Sequence, residues 1–79
     1  MALLISVAPA GEGWAIHSDD IAEDLFFQSG GRAEAAARAL ADRNAEQGRA
    51  AEVQIFLRDG ALAGVVSYPS RFADHALAG

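Results

Sequence analysis

The dipeptide Asp59-Gly60, set between apolar runs at residues 52–58 and 61–68, constrains this chain more than any other local feature. Asp-Gly flanked by strand-like sequence marks a two-residue type I′ hairpin, because both central residues of that turn take positive φ. The turn then predicts a register: Arg58 opposite Ala61, Leu57 opposite Leu62, Ile55 opposite Gly64 and Val53 opposite Val66. These pairs make one continuous core face, with Gly64 at the point where a covering helix comes closest. The reverse face carries Phe56, Ala63 and Val65 beside Gln54, which is more apolar than a solvated surface usually is. Pro69 stops the second run.

Upstream of the hairpin, residues 32–47 have the period of a helix. At 100° per residue, Ala33, Ala36, Ala37, Leu40 and Asn44 share one face, and Glu34, Arg38, Asp42 and Glu46 share the other. Glu34 to Arg38 and Arg38 to Asp42 are pairs of opposite sign four residues apart, each worth a few tenths of a kcal/mol. Ser29 or Gly31 caps the start, and Gly48 stands where a left-handed residue ends a helix. An apolar face made mainly of alanine predicts a helix lying flat and close on a sheet.

The first third reads as strands. Leu3, Ile5 and Val7 alternate within a strand over residues 2–8, a turn cluster follows at residues 9–13, and residues 14–17 form a second strand with Trp14 and Ile16 facing the core. Ser18-Asp19-Asp20 breaks it. Residues 25–28 offer a third strand, with a short helical turn over residues 21–24 as the competing reading. The order is β-β-(β)-α-β-β: an α+β fold of two layers, one amphipathic helix packed on an antiparallel sheet. Residues 1–69 make the domain, and residues 70–79 a C-terminal tail with a helical tendency around residues 73–77.

At 79 residues and 8.2 kDa, a folded chain exposes about 4,500 Å² and holds one thin core. One helix covers one face of a sheet. The other face, with Phe56, Val65 and Phe26, is left to solvent or to a partner.

The residues 13–69 bear a family resemblance. Gly13-Trp14-Ala15-Ile16, the alanine-rich stretch Ala33-Glu34-Ala35-Ala36-Ala37-Arg38-Ala39-Leu40-Ala41, then Glu52-Val53-Gln54-Ile55-Phe56-Leu57-Arg58-Asp59-Gly60 and Ser67-Tyr68-Pro69 resemble the small bacterial domains of unknown function built as Gly-x-Trp-x-Val, helix, strand, Asp-Gly turn, strand and Ser-Tyr. This chain departs from them in its acidic insert between Trp14 and the helix and in its shortage of basic residues. The resemblance implies a similar fold and no established activity.

Charge narrows the classes of partner. Glu12, Asp19, Asp20, Glu23 and Asp24 fall within residues 1–31 without one basic residue, while residues 32–79 balance six acids with six arginines. The whole net charge of −5 thus belongs to the N-terminal part. Without a surplus of cations to displace counterions, direct nucleic-acid binding is not expected. All six basic residues are arginine, which with the many alanines and glycines points to a GC-rich genome. No cysteine is present, so disulfides, thiolate nucleophiles and cysteine-bound metals are excluded. No run approaches a membrane span, and the N-terminal apolar stretch lacks the basic flank and length of a secretory signal. The expected setting is the cytoplasm, without a membrane.

Candidate sites are weighed against plainer roles. His17-Ser18-Asp19-Asp20 offers an imidazole and two carboxylates, yet a metal needs three or four converging ligands and the second histidine, His75, lies in the tail. A polar turn is the simpler account. Ser29-Gly30-Gly31-Arg32 opens a helix, where amides and a guanidinium suit an anion; the bland alternative is a cap. Serines and histidines form no triad pattern, and no catalytic or cofactor-binding residue is assigned. Phe56 with Phe26 suits base stacking poorly in so acidic a domain and suits a protein interface better. The expectation is a noncatalytic interaction module, a homodimer formed through the helix-free sheet face, with Phe56, Val65, Ala63 and Phe26, or through an edge strand. The competing reading is a regulatory or antitoxin-like acidic partner of a basic or nucleic-acid-binding protein.

Overall fold

Leu3, Ile5 and Val7 are buried while Leu4 between them is 47% exposed, so the two-residue period of the N-terminal run is that of a strand with one covered face. A computed structural model describes residues 2–71. It places this strand, β1, at Leu3–Ala10, followed by β2 (Gly13–Ser18), β3 (Leu25–Phe27), the helix α1 (Gly30–Glu46), β4 (Ala51–Phe56) and β5 (Leu62–Tyr68). The third strand exists, and residues 21–23 form bends, so residues 21–24 are not a helical turn. The α+β class with one helix on a sheet is what the sequence predicts.

The five strands form one sheet in the order β3-β2-β1-β4-β5. Three of its four pairings are antiparallel, and the central one, β1 with β4, is parallel. The sheet is therefore mixed rather than wholly antiparallel. The reason is directional: two successive reversals leave β3 running with β1, the helix carries the chain back, and β4 sets out again in the direction of β1. It docks on the free side of β1, with Leu3 beside Ala51 and Val7 beside Ile55.

The core lies between the sheet and α1. Ile5, Val7, Ile16 and Val53 are fully enclosed, and each such side chain contributes about 1.5–3 kcal/mol relative to exposure. Against them α1 presents Ala33, Ala37, Ala41 and Ala45, all buried at four-residue spacing. Side chains this small let the helix backbone settle on β1 and β4. Ala36 and Leu40, expected on that face, sit at its margin and are half-buried. Asn44 is buried, its side-chain amide donating to the Leu40 carbonyl at 2.9 Å.

Both helix ends are closed by their own sequence. The Ser29 hydroxyl accepts from the Arg32 amide at 3.0 Å, so Ser29 rather than Gly31 is the cap. At the other end the Gly48 amide donates to Ala45 O at 3.1 Å and the Arg49 amide to Asn44 O at 2.8 Å, with Gly48 at φ 91°. That is the Schellman arrangement, and it requires the left-handed residue supplied by glycine. Glu34 and Arg38 pair at 2.7 Å as expected. Asp42 is instead taken by Arg71 at 2.7 Å, which also reaches Glu46 at 3.2 Å. The helical tendency around residues 73–77 lies outside the described residues, as does His75.

The β4–β5 connection differs from the predicted turn. Gly60 has φ 91°, but no non-glycine residue among the described ones has positive φ, so Asp59 does not adopt the type I′ conformation. The Gly60 amide donates to Leu57 O at 2.9 Å and the Leu57 amide to Ala61 O at 2.7 Å. The loop is a tight turn followed by a left-handed glycine, a three-residue connection that Asp-Gly serves equally well. Ile55 still meets Gly64 and Val53 meets Val66, but Phe56 rather than Leu57 meets Leu62, and Ala63 is left as a bulge between Leu62 and Gly64. Gly64 is also not the place of closest helix approach, since a Cβ built there meets nothing within 4 Å. The helix lies over the middle of the sheet and stops short of the β5 edge. Its close approach is at Gly30, where an added Cβ would stand 3.0 Å from Trp14 Cε2.

Candidate interaction surface

Strand alternation sends Phe26, Ala15, Ala8, Phe56 and Val65 to the side of the sheet away from α1. Phe26 pairs with Ala15, Ala15 with Ala8, and Phe56 with Leu62; Ala8 stands one residue past the Val7 to Ile55 pair that joins β1 to β4. An apolar row thus runs across all five strands. Phe26 is 71% exposed, Leu62 51% and Val65 46%, while Ala63 is exposed and Phe56 half-buried. Of the sequence-predicted group, Phe56, Val65 and Phe26 therefore share one face, with Phe26 at the β3 end and the other two at the β4–β5 end, while Ala63 is the exposed bulge residue of β5.

The row beside it is polar over β2, β1 and β4 and ends on Val65: His17 pairs with Ser6, Ser6 with Gln54, and Gln54 with Val65. His17 Nδ1 lies 2.7 Å from Asp24 Oδ1. The hydrogen bond and the charge of Asp24, with a further contribution from Asp19, raise the His17 pKa above its ordinary 6.5. Asp20, the next acid in that loop, accepts from Arg49 at 3.0 Å. Among the described residues no three histidine or acidic side chains converge as a metal would require. His17 is thus drawn to Asp24 and Asp20 to Arg49.

At the end of the sheet where β1 turns into β2, Arg58 reaches across from the neighbouring hairpin. Its guanidinium donates to Gly11 O at 3.1 Å and Glu12 O at 2.9 Å and lies 4.8 Å from the Trp14 ring centroid. One open hollow of about 520 Å³ is lined by Glu12, Gly13, Trp14, Phe26 and Phe27 among others. A second, of about 440 Å³, is lined by Ala8, Pro9, Phe56 and the Arg58–Gly60 loop. Both open beside the apolar row and extend its apolar lining.

Ser29, Gly30, Gly31 and Arg32 form the entry to α1. The Ser29 hydroxyl already accepts the Arg32 amide, the Ser29 carbonyl accepts the Ala33 amide at 3.1 Å, and Gly30 is held against Trp14. The segment serves to start the helix. Contacts that escape sequence reasoning include Arg58 with Trp14 and its turn, and His17 with Asp24. A seven-residue separation across a loop carries no periodic signal, and neither does a contact between separate hairpins.

No helix among the described residues is long and apolar enough to cross a membrane. Comparison with protein families, with curated proteins and with solved structures finds no match for this chain.

Proposed function

We propose that this protein is a small, noncatalytic, cytoplasmic interaction module that self-associates through its sheet as a homodimer. The observation that carries this reading is the apolar row from Phe26 to Leu62 on the face that α1 leaves uncovered, ending at a strand, β5, with no charged residue. Exposed apolar rows of this kind are enriched at interfaces, whose centres are depleted of charge. A thin one-sided core adds a thermodynamic motive. An interface of standard size buries about 800 Å² per chain, a large share of so small a surface.

The alternative, an acidic partner for a basic protein, has less to act with. Asp20 and Asp24 are engaged by Arg49 and His17, which reduces the free negative charge of the loop that would attract one. The experiment that tests self-association is mass in solution by sedimentation across a concentration series, with Val65→Glu beside the parent protein. The expected outcome is a dimer that Val65→Glu shifts to monomer at unchanged far-ultraviolet circular dichroism. A parent protein that sediments as monomer at every concentration overturns the reading.

A further inference from the structure

The two edges of the sheet are unequal. β3 is three residues long and follows directly on Glu23 and Asp24, a short, charge-flanked edge of the kind that resists pairing. β5 is seven residues, Leu62-Ala63-Gly64-Val65-Val66-Ser67-Tyr68, without charge or proline. Among the described residues no strand pairs with its outer edge, and such an edge is the template for adding another strand.

We propose that β5 pairs antiparallel with β5 of a second copy about a two-fold axis at Val66, giving a continuous ten-stranded sheet. This rests on the self-association of the reading above but places the contact at the β5 edge, so that the apolar row from Phe26 to Leu62 stays open on one face of the dimer. A two-fold axis normal to the sheet must sit on a residue, because residues directly opposite one another point to the same face. Of the central positions, Val65 as the axis sets the bulged Ala63 against Ser67 of the second copy, interrupting the ladder. Ser67 as the axis brings in Pro69, which has no amide to donate. Val66 as the axis uses residues 64–68 alone, the regular stretch between bulge and proline.

That register also gives Gly64 a role. Gly64 lies on the helix side of β5, opposite Ile55, yet a Cβ there meets nothing within 4 Å. With Val66 opposite Val66, Gly64 stands opposite Tyr68 of the second copy. The half-buried Tyr68 ring then covers the space beside glycine, a cross-strand aromatic–glycine pairing that occurs twice by symmetry. On the other face Val65 stands opposite Ser67, and the two apolar rows lie on one surface with both helices on the opposite side.

The chain has no cysteine, so single cysteines report contacts without background. Mixing Val65→Cys with Ser67→Cys under mild oxidation is expected to give the mixed disulfide in preference to either homodimer, since only the mixed pair is directly opposed. Gly64→Lys is the blocking variant: the monomer has room for it, while the dimer must bury an unpaired ammonium against Tyr68, weakening association about a hundredfold. Circular dichroism of Gly64→Lys is expected to match the parent. A Gly64→Lys protein that still dimerises while Val65→Glu does not overturns edge pairing and leaves association through the open face. A dimer whose cross-links favour Val65→Cys with itself overturns the register. A parent that is monomeric throughout overturns self-association, and edge pairing with it.

Discussion

The Arg58 guanidinium lies 4.8 Å from the centroid of the Trp14 ring while donating to the carbonyls of Gly11 and Glu12, so one side chain ties the β4–β5 loop to the β1–β2 turn. Trp14 is the single tryptophan and therefore reports on that tie. Arg58→Ala is expected to shift its fluorescence and to lower stability by about 1 kcal/mol, the range for a partly solvated cation–π contact with accompanying hydrogen bonds. Arg58→Lys is expected to recover only part, because an ammonium cannot stack and donate from a planar fork at once. Urea titration read by fluorescence checks both; an unchanged midpoint for Arg58→Ala would show that the tie is not stabilising.

Gly13 faces the backbone of the β3 edge. A Cβ placed there collides with the Phe27 carbonyl, and backbone cannot move aside as a flexible side chain does. Gly13→Ala is expected to displace β3 and to destabilise by about 2 kcal/mol, as overpacking does. Hydrogen exchange at residues 25–27 should rise more than at β4. Equal protection in both proteins would contradict this placement of β3.

His17 titrates above 6.5 because Asp24 accepts its hydrogen bond and supplies a negative charge, with Asp19 adding to the field. The folded pKa is raised, so protonated His17 supports the fold fully below the unfolded value of about 6.5. That support is lost as pH rises through the folded pKa. Imidazole shifts followed by nuclear magnetic resonance should show Asp24→Asn moving the His17 midpoint down. A midpoint indifferent to Asp24 would remove the ion pair from the account of this loop.

The helix depends on residues at its two ends. Ser29→Ala removes the acceptor for the Arg32 amide and is expected to cost about 1 kcal/mol. Gly48→Ala forces an L side chain to φ 91° and is expected to cost about as much. The sites are far apart along the helix, so thermal unfolding of the double variant should show additive losses.

Much of this architecture is legible because short-range rules govern it. The alternation of Leu3, Ile5 and Val7, the alanine face of the helix, and Ser29 and Gly48 at its ends follow from period and cap, whereas Val53 meets Val66 because the bulge at Ala63 makes up for the longer turn. The turn around Asp59 is not, because a left-handed Gly60 suits a two-residue and a three-residue loop alike, and the choice displaced Leu57 from Leu62. The parallel contact of β1 with β4 is a long-range choice that no local pattern encodes. Of the surface, Phe56 and Val65 were visible from alternation on the final hairpin. Phe26 is grouped with them from the sequence as well, and its place on that face depends on β3 pairing with β2, which competes in the sequence with a helical turn over residues 21–24. The Arg71 tie to Asp42 and Glu46, and the bare Gly64, depend on where the helix comes to rest.

The parallel pairing of β1 with β4 has a kinetic consequence. The segment from β1 to β3 and the β4–β5 hairpin are each built of neighbours in sequence, but Leu3 reaches Ala51 only after the helix has brought the chain back. Closing so long a loop loses chain entropy before its contacts return any stability. The local hairpins are therefore expected to form early and separately, with the meeting of Ile5 with Val53 setting the pace at which the whole molecule folds.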